Sequence, residues 1–163
     1  MSFETTKINT DNKEKFYNLL TQQAEGLLSA EKNLIANAAN LSSLLYHSLD
    51  SVNWVGFYLL KDDELVLGPF QGQVACTRIP VGQGVCGTAF EKNKTLRIED
   101  VHAFKGHIAC DSASNSELVI PIRVNNKTIG VLDIDSPIYN RFDSEDQKGC
   151  ENIAQIFEKS IVI

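Results

Sequence analysis

The sequence predicts an α+β fold: a largely antiparallel sheet with a pair of helices before it and one helix after it. Three observations predict this. Residues from about 11 to 48 place apolar side chains at helical three-to-four spacing. Residues 53 to 135 break into short alternating runs joined by tight polar turns. From Asp143 onward the helical spacing returns.

The first helix runs from about 11 to 28. Phe16, Leu20, Ala24, Leu27 and Leu28 follow its period, and Asp11 with Glu14 has the form of a capping box. The second, about 31 to 48, sets Leu34, Ala38, Leu41 and Leu45 on one face. Only Ser29-Ala30 separates the two, which read as packing elements or a dimer face. Strands begin at 53. NWVGFYLLK puts Trp54, Gly56 and Tyr58 on one face and Val55, Phe57 and Leu59 on the other. Asp62-Asp63 turns the chain back through ELVLGPF. QVACTRIPV reads as a third strand with Cys76 inside it. GQGVCGTAFEKN is a glycine turn entering a short helix, and TLRIED a short strand after it.

Residues 101 to 116 show no period, and a loop that long in a compact domain implies a job. ELVIPIRV, the turn Asn125-Asn126 and KTIGVLDID form a hairpin, because Asn tolerates the positive φ such turns need. Asp143 caps the last helix, with Cys150, Ile153, Ile156, Phe157 and Ser160 at helical spacing. No linker, low-complexity tract or repeat divides the chain. Residues 1–163 therefore read as one domain, long enough to bury a single core.

A net charge of −6, a pI near 5.0 and the lack of any Lys/Arg-rich run argue against nucleic acid and anionic membrane as partners. No apolar run approaches the ~20 residues of a membrane span. The opening MSFETTKINTDNKEKF lacks the basic-then-apolar layout of a secretion signal. The expected location is the cytoplasm, where a disulfide that forms is usually catalytic or redox-sensing.

Three of the four cysteines and a run of carboxylates fall between Cys76 and Asp135. Gly82, Gly84 and Gly87 spell G-x-G-x-x-G, but the dinucleotide context fails: the helix is short, Pro80 interrupts the strand before it, and no βαβ unit follows. The turn is either close packing or a helix entrance with outward N–H groups suited to an anion such as a carboxylate. Cysteine spacings of ten, twenty-four and forty positions contain no C-x-x-C knuckle. A zinc site would need His102 and His107 beside Cys110, and no metal is expected. His47, late in the second helix, reads as a surface or partly buried histidine with no chemical role.

Cys150 lies in an apolar stripe, where a thiol behaves as a small hydrophobe. Cys76, Cys86 and Cys110 occupy a strand, a helix start and an irregular loop. The helix dipole would favour a thiolate at Cys86, and the small-residue loop leaves Cys110 accessible. Spacing alone leaves redox chemistry and core filling both open. Asp133 and Asp135 share one face of a strand whose other face is Leu132 and Ile134, and Glu117 opens the partner strand. Acids so placed must meet solvent or a cationic ligand. They form either an exposed sheet face or a pocket for an ammonium group, with one acid kept protonated as a proton donor. Trp54 and Tyr58 would wall that pocket, or serve as plain core aromatics.

IPVGQGVCGTAFEKNKTLRIEDV resembles the central signature of GAF domains, a small-molecule-binding α+β fold. ACTRIPVGQGVCGTA, GHIACDSASNSELVIPI and GVLDIDSP together resemble the free methionine-(R)-sulfoxide reductases, which are single GAF domains. The likeness spans essentially the whole chain. Lys105 stands where the family has proline, outside the chemical positions.

The resemblance implies a GAF-like domain over 1–163 and a specific chemistry. Cys110 would attack the sulfoxide sulfur, release methionine and be left as a sulfenic acid. Cys76 would resolve it as a Cys76–Cys110 disulfide, with Cys86 an alternative or relay resolver. Thioredoxin would reduce that disulfide. Glu117, Asp133 and Asp135 would hold the substrate's amino group and supply the proton. Trp54 and Tyr58 would enclose its methyl end. No cofactor is implied. The rival reading is a non-catalytic GAF domain that senses a small ligand or redox state, a module that usually sits beside an effector domain for which this chain has no room.

Overall fold

The structure, a computed structural model, describes residues 3–108, 110 and 112–163. Ala109 and Asp111, inside the long loop and the GHIACD motif, lie outside the described residues, as do Met1 and Ser2. Among the described residues, four helices and six strands follow in order: α1 (Lys13–Leu28), α2 (Leu34–Ser48), β1 (Trp54–Lys61), β2 (Glu64–Gly72), β3 (Arg78–Pro80), α3 (Gly84–Lys92), β4 (Leu96–Ile98), a 3₁₀ turn (Val101–Ala103), β5 (Ser116–Val124), β6 (Lys127–Ser136) and α4 (Ser144–Ser160). The strands form an antiparallel sheet in the order β3-β2-β1-β6-β5-β4. This is the α+β class the sequence predicts.

Both predicted hairpin turns are present. Asp62, Asp63, Asn125 and Asn126 all have positive φ, which matches the right-handed twist of the strands they join. Each sheet face then packs a different layer. Val55, Phe57, Leu118, Ile120, Leu132 and Ile134 meet Leu20, Leu41, Leu45, Ile153 and Phe157 of α1, α2 and α4 in the larger core. On the opposite face Trp54, Tyr58, Val119 and Val131 pack under Val85 and Ala89 of α3. No helix among the described residues is long and apolar enough to cross a membrane.

Two local expectations are corrected. The cap of α1 is Asn12, whose Oδ1 accepts the Lys15 N–H at 2.7 Å; Asp11 falls one position outside, so its box with Glu14 does not form. Cys76 lies before β3 and not within a strand. Pairing with β2 starts only at Arg78, because the carbonyls of Gln73 and Cys76 turn inward to accept from Trp54 Nε1 and Tyr58 Oη, each at 3.0 Å.

A capping box forms instead at α4, between Asp143 and Asp146. Asp146 is buried and accepts from Tyr17 Oη at 2.7 Å, Lys13 Nζ at 2.7 Å and Arg141 Nη1 at 3.1 Å, tying α1 to α4. Replacing it by alanine strands the Tyr17 phenol in a buried site and takes the carboxylate from Arg141, whose Nε still donates to the Asp50 carbonyl. Asp146→Ala is expected to cost about 3–5 kcal/mol in urea unfolding, and a loss under about 1 kcal/mol would show the network to be incidental.

Candidate active site

The register of three strands assembles the acids. β1 against β6 pairs Trp54 with Asp135, Gly56 with Asp133 and Tyr58 with Val131. β5 against β6 pairs Glu117 with Asp135 and Val119 with Asp133. Directly opposed residues share a face, so Glu117, Asp133 and Asp135 stand with Trp54 and Tyr58 on the face turned away from the large core. Glycine is required at position 56. A Cβ there would meet Trp54 Cη2 at 2.6 Å, so its absence lets the indole lie flat across the strand. Trp54 stacks between Tyr58, at 5.9 Å between ring centroids, and Phe70, at 5.2 Å.

The α3 helix lays Cys86 over the acids. Gly84 opens that helix with φ +61, a conformation L side chains rarely adopt, and the cap residue Gln83 makes no side-chain hydrogen bond to it. Cys86 is 4% exposed. Its Sγ sits 3.3 Å from Asp133 Oδ2 and 3.8 Å from Glu117 Oε1. Glu117 and Asp133 are buried too, while Asp135 is half-buried.

Burial of these acids beside one another sets their protonation. Burial, then the charges of Asp133 and Asp135, hold Glu117 well above the ordinary carboxylate range. Asp133 is pushed up to about 6 by burial, against the hydrogen bonds of Cys86, Glu117 and the Ile134 N–H. Burial, then the carboxylates, push the Cys86 thiol well up, and the same causes raise the Tyr58 hydroxyl. The expected dipole-favoured thiolate at Cys86 is therefore not found: low dielectric and facing acids outweigh the helix end. Asp133 Oδ1 is buried without a hydrogen-bond partner among the described residues.

Cys76 and Cys110 form a disulfide, with 5.1 Å between their Cα atoms, that joins the segment before β3 to the long loop. Cys86 and Cys150 are free and buried. Cys110, Cys86, Tyr58, Glu117, Asp133 and Asp135 line one cavity of about 30 Å³, room for a water or two but not for an amino acid. Trp54 backs Tyr58 rather than lining the cavity itself.

Cys86, Glu117 and Asp133 place a sulfur and two carboxylate oxygens within 4.8 Å of one another, a set able to hold a metal ion. Within the set the Cys86 thiol lies against both carboxylates. His102 is not part of it; its Nε2 is 2.9 Å from Asn115 Oδ1.

Phe70 and Ser114 escape the sequence reading, and His107 enters it only as a metal candidate. Phe70 completes the aromatic stack, and only the Gly56–Phe70 register reveals it. His107 and Ser114 line the cavity from the loop, where the absence of periodicity hides which residues face inward.

The chain matches the GAF domain family over residues 19–161. It is 59% identical over 152 residues to protein YtsP of Bacillus subtilis, covering 92% of this chain and 93% of that one. It is 56% identical over 148 residues to the free methionine-R-sulfoxide reductase of Escherichia coli, covering 91% and 90%. The X-ray structure of free methionine-R-sulfoxide reductase from Neisseria meningitidis in complex with its substrate superposes with a TM-score of 0.93 at 41% identity, covering 98% of this chain and 95% of that one.

Proposed function

We propose, from the premise that the chain belongs to the GAF domain family and within it to the free methionine-R-sulfoxide reductases, that it reduces free methionine-(R)-sulfoxide to methionine. The observation that carries this reading is the Cys76–Cys110 disulfide beside a cavity floored by three acids.

Cys110 is the nucleophile. Its thiolate bonds to the sulfoxide sulfur, the oxygen passes from that sulfur to Cys110 as the S–O bond and the new S–S bond break, methionine leaves, and Cys110 is left as a sulfenic acid. Glu117, whose carboxyl is held well above the ordinary range by burial and by Asp133 and Asp135, gives its proton to the sulfoxide oxygen as the bond opens. Asp133, the more acidic of the buried pair, whose Oδ1 has no hydrogen-bond partner among the described residues, takes the ammonium group together with Asp135. Tyr58, braced by Trp54, encloses the methyl end. The Cys76 thiol then displaces water from the sulfenic acid and forms the disulfide.

In the disulfide form Cys110 is spent, so reduction must restore its thiol before the next turnover. The reductant is thioredoxin, which regenerates both thiols by exchange in the cytoplasm. The chain acts as one domain, and α1 with α2 offers the face for a homodimer.

An epimer-resolved assay with thioredoxin tests the reading. Free R sulfoxide is expected to be reduced at least about a hundredfold faster than free S sulfoxide or a peptide-bound residue, whose ammonium is gone. Equal turnover of the peptide form would defeat the substrate assignment.

A further inference from the structure

The disulfide leaves Cys86 without a partner in the chemistry. Its surroundings describe a different job. It lies in the first turn of α3, packed in the small core with Val85 and Ala89, and its Sγ points at Asp133 Oδ2 from 3.3 Å. A thiol has one proton to donate, and a carboxylate is the strongest acceptor within its reach. Asp133 therefore has one oxygen held from α3 and the other, Oδ1, buried with no hydrogen-bond partner among the described residues.

We infer that Cys86 is a positioning residue that remains a thiol throughout turnover: its S–H holds Asp133 by Oδ2 and so presents Oδ1 to the substrate's ammonium group. No electron leaves Cys86 in this scheme, and the disulfide cycle runs between Cys76 and Cys110 alone. The inference rests on the function proposed above and changes the part given to the third cysteine.

Two features support it. A resolving thiol must reach a sulfenic sulfur as thiolate, and Cys86 is enclosed by Glu117, Asp133 and Asp135, all of which oppose its ionisation. The Cys86 S–H is also a donor from α3 to Asp133 that adds to Glu117 and the Ile134 N–H. The titratable neighbours that face that carboxylate are Glu117 from β5, Asp135 on its own strand, Tyr58 from β1 and, across the cavity, His107 from the loop. The nearby imidazole offers no standing cation: burial, with His102 next in effect, holds His107 below its ordinary value.

The test compares Cys86→Ser and Cys86→Ala in the full chain, with free methionine-(R)-sulfoxide as substrate and dithiothreitol as reductant. Alanine removes the donor. KM is expected to rise about tenfold with kcat within about threefold, and the acid limb of kcat/KM to move to higher pH as Asp133 loses a hydrogen bond that favours its ionised form. Serine restores a donor, and both KM and the acid limb return most of the way.

Serine as impaired as alanine would overturn the inference, as would an unshifted acid limb in Cys86→Ala or a Cys86 disulfide trapped in the parent during turnover. If the alanine variant does not fold, the serine variant decides alone, since a resolving role predicts its loss. A parent inactive on the free sulfoxide fails the proposed function itself, an outcome distinct from an active parent with a disabled serine variant.

Discussion

Cys110→Ser is expected to lower the rate of methionine formation by at least about a thousandfold, because the attacking atom is gone and no neighbour replaces it. Cys76 cannot take over. It stands outside β3 with its carbonyl held by Tyr58, and its proposed task begins only after a sulfenic acid exists. Single-turnover chemistry separates the two thiols. Reduced Cys76→Ser should still yield one equivalent of methionine per chain and stop, while Cys110→Ser yields none.

Stability must be compared with the disulfide in mind. Closing a loop between positions 34 apart stabilises the oxidised parent by roughly 3–4 kcal/mol in the chain-entropy account. The fair reference is thus the parent under reducing conditions, against which the serine variant should melt within a degree or two. Methionine formation by a folded Cys110→Ser at the parent's rate would remove Cys110 from the role.

The acidic face was readable because a strand's side chains alternate with period two. Asp133 and Asp135 had to point the same way, opposite Leu132 and Ile134. The short turn at Asn125-Asn126 then put Glu117 across from Asp135, since hairpin register follows from turn length. What joined these acids to Trp54 and Tyr58 was not readable by such rules. β1 pairs with β6 across some seventy residues of intervening chain, and no local pattern announces a long-range edge.

Cys86 shows the same limit more sharply. A cysteine in the first turn of a helix reads as a favoured thiolate until the facing sheet is known to be three carboxylates. The pairing of Cys76 with Cys110 likewise came from family likeness, because spacings of ten and twenty-four positions rank no pair above another.

Glu117→Gln should separate activity from stability in opposite directions. The side chain is 6% exposed and held well above its ordinary value by burial and by Asp133 and Asp135. As a protonated acid it can give a proton to the sulfoxide oxygen, and an amide cannot. The expected loss in kcat is roughly a hundred- to a thousandfold, the usual worth of a positioned general acid.

The amide nevertheless keeps a donor towards Asp133 and needs no proton from solvent. In the parent, the unfolded chain ionises Glu117 near 4.5 while the folded chain retains the proton to much higher pH. Folding therefore takes up a proton, and stability contributed at this site falls as pH rises from the ordinary carboxylate range towards the folded value. Glu117→Gln removes that slope. The variant should melt several degrees above the parent at pH 7, with the gap narrowing as pH is lowered towards about 4.5. Equal melting at pH 7, or a gap that widens on acidification, would mean that Glu117 is not the group that holds the proton. An acid that weakens the fold at working pH is otherwise a poor choice for a sheet interior. Its place in one cavity with Cys110 is what the proposed protonation of the sulfoxide oxygen needs.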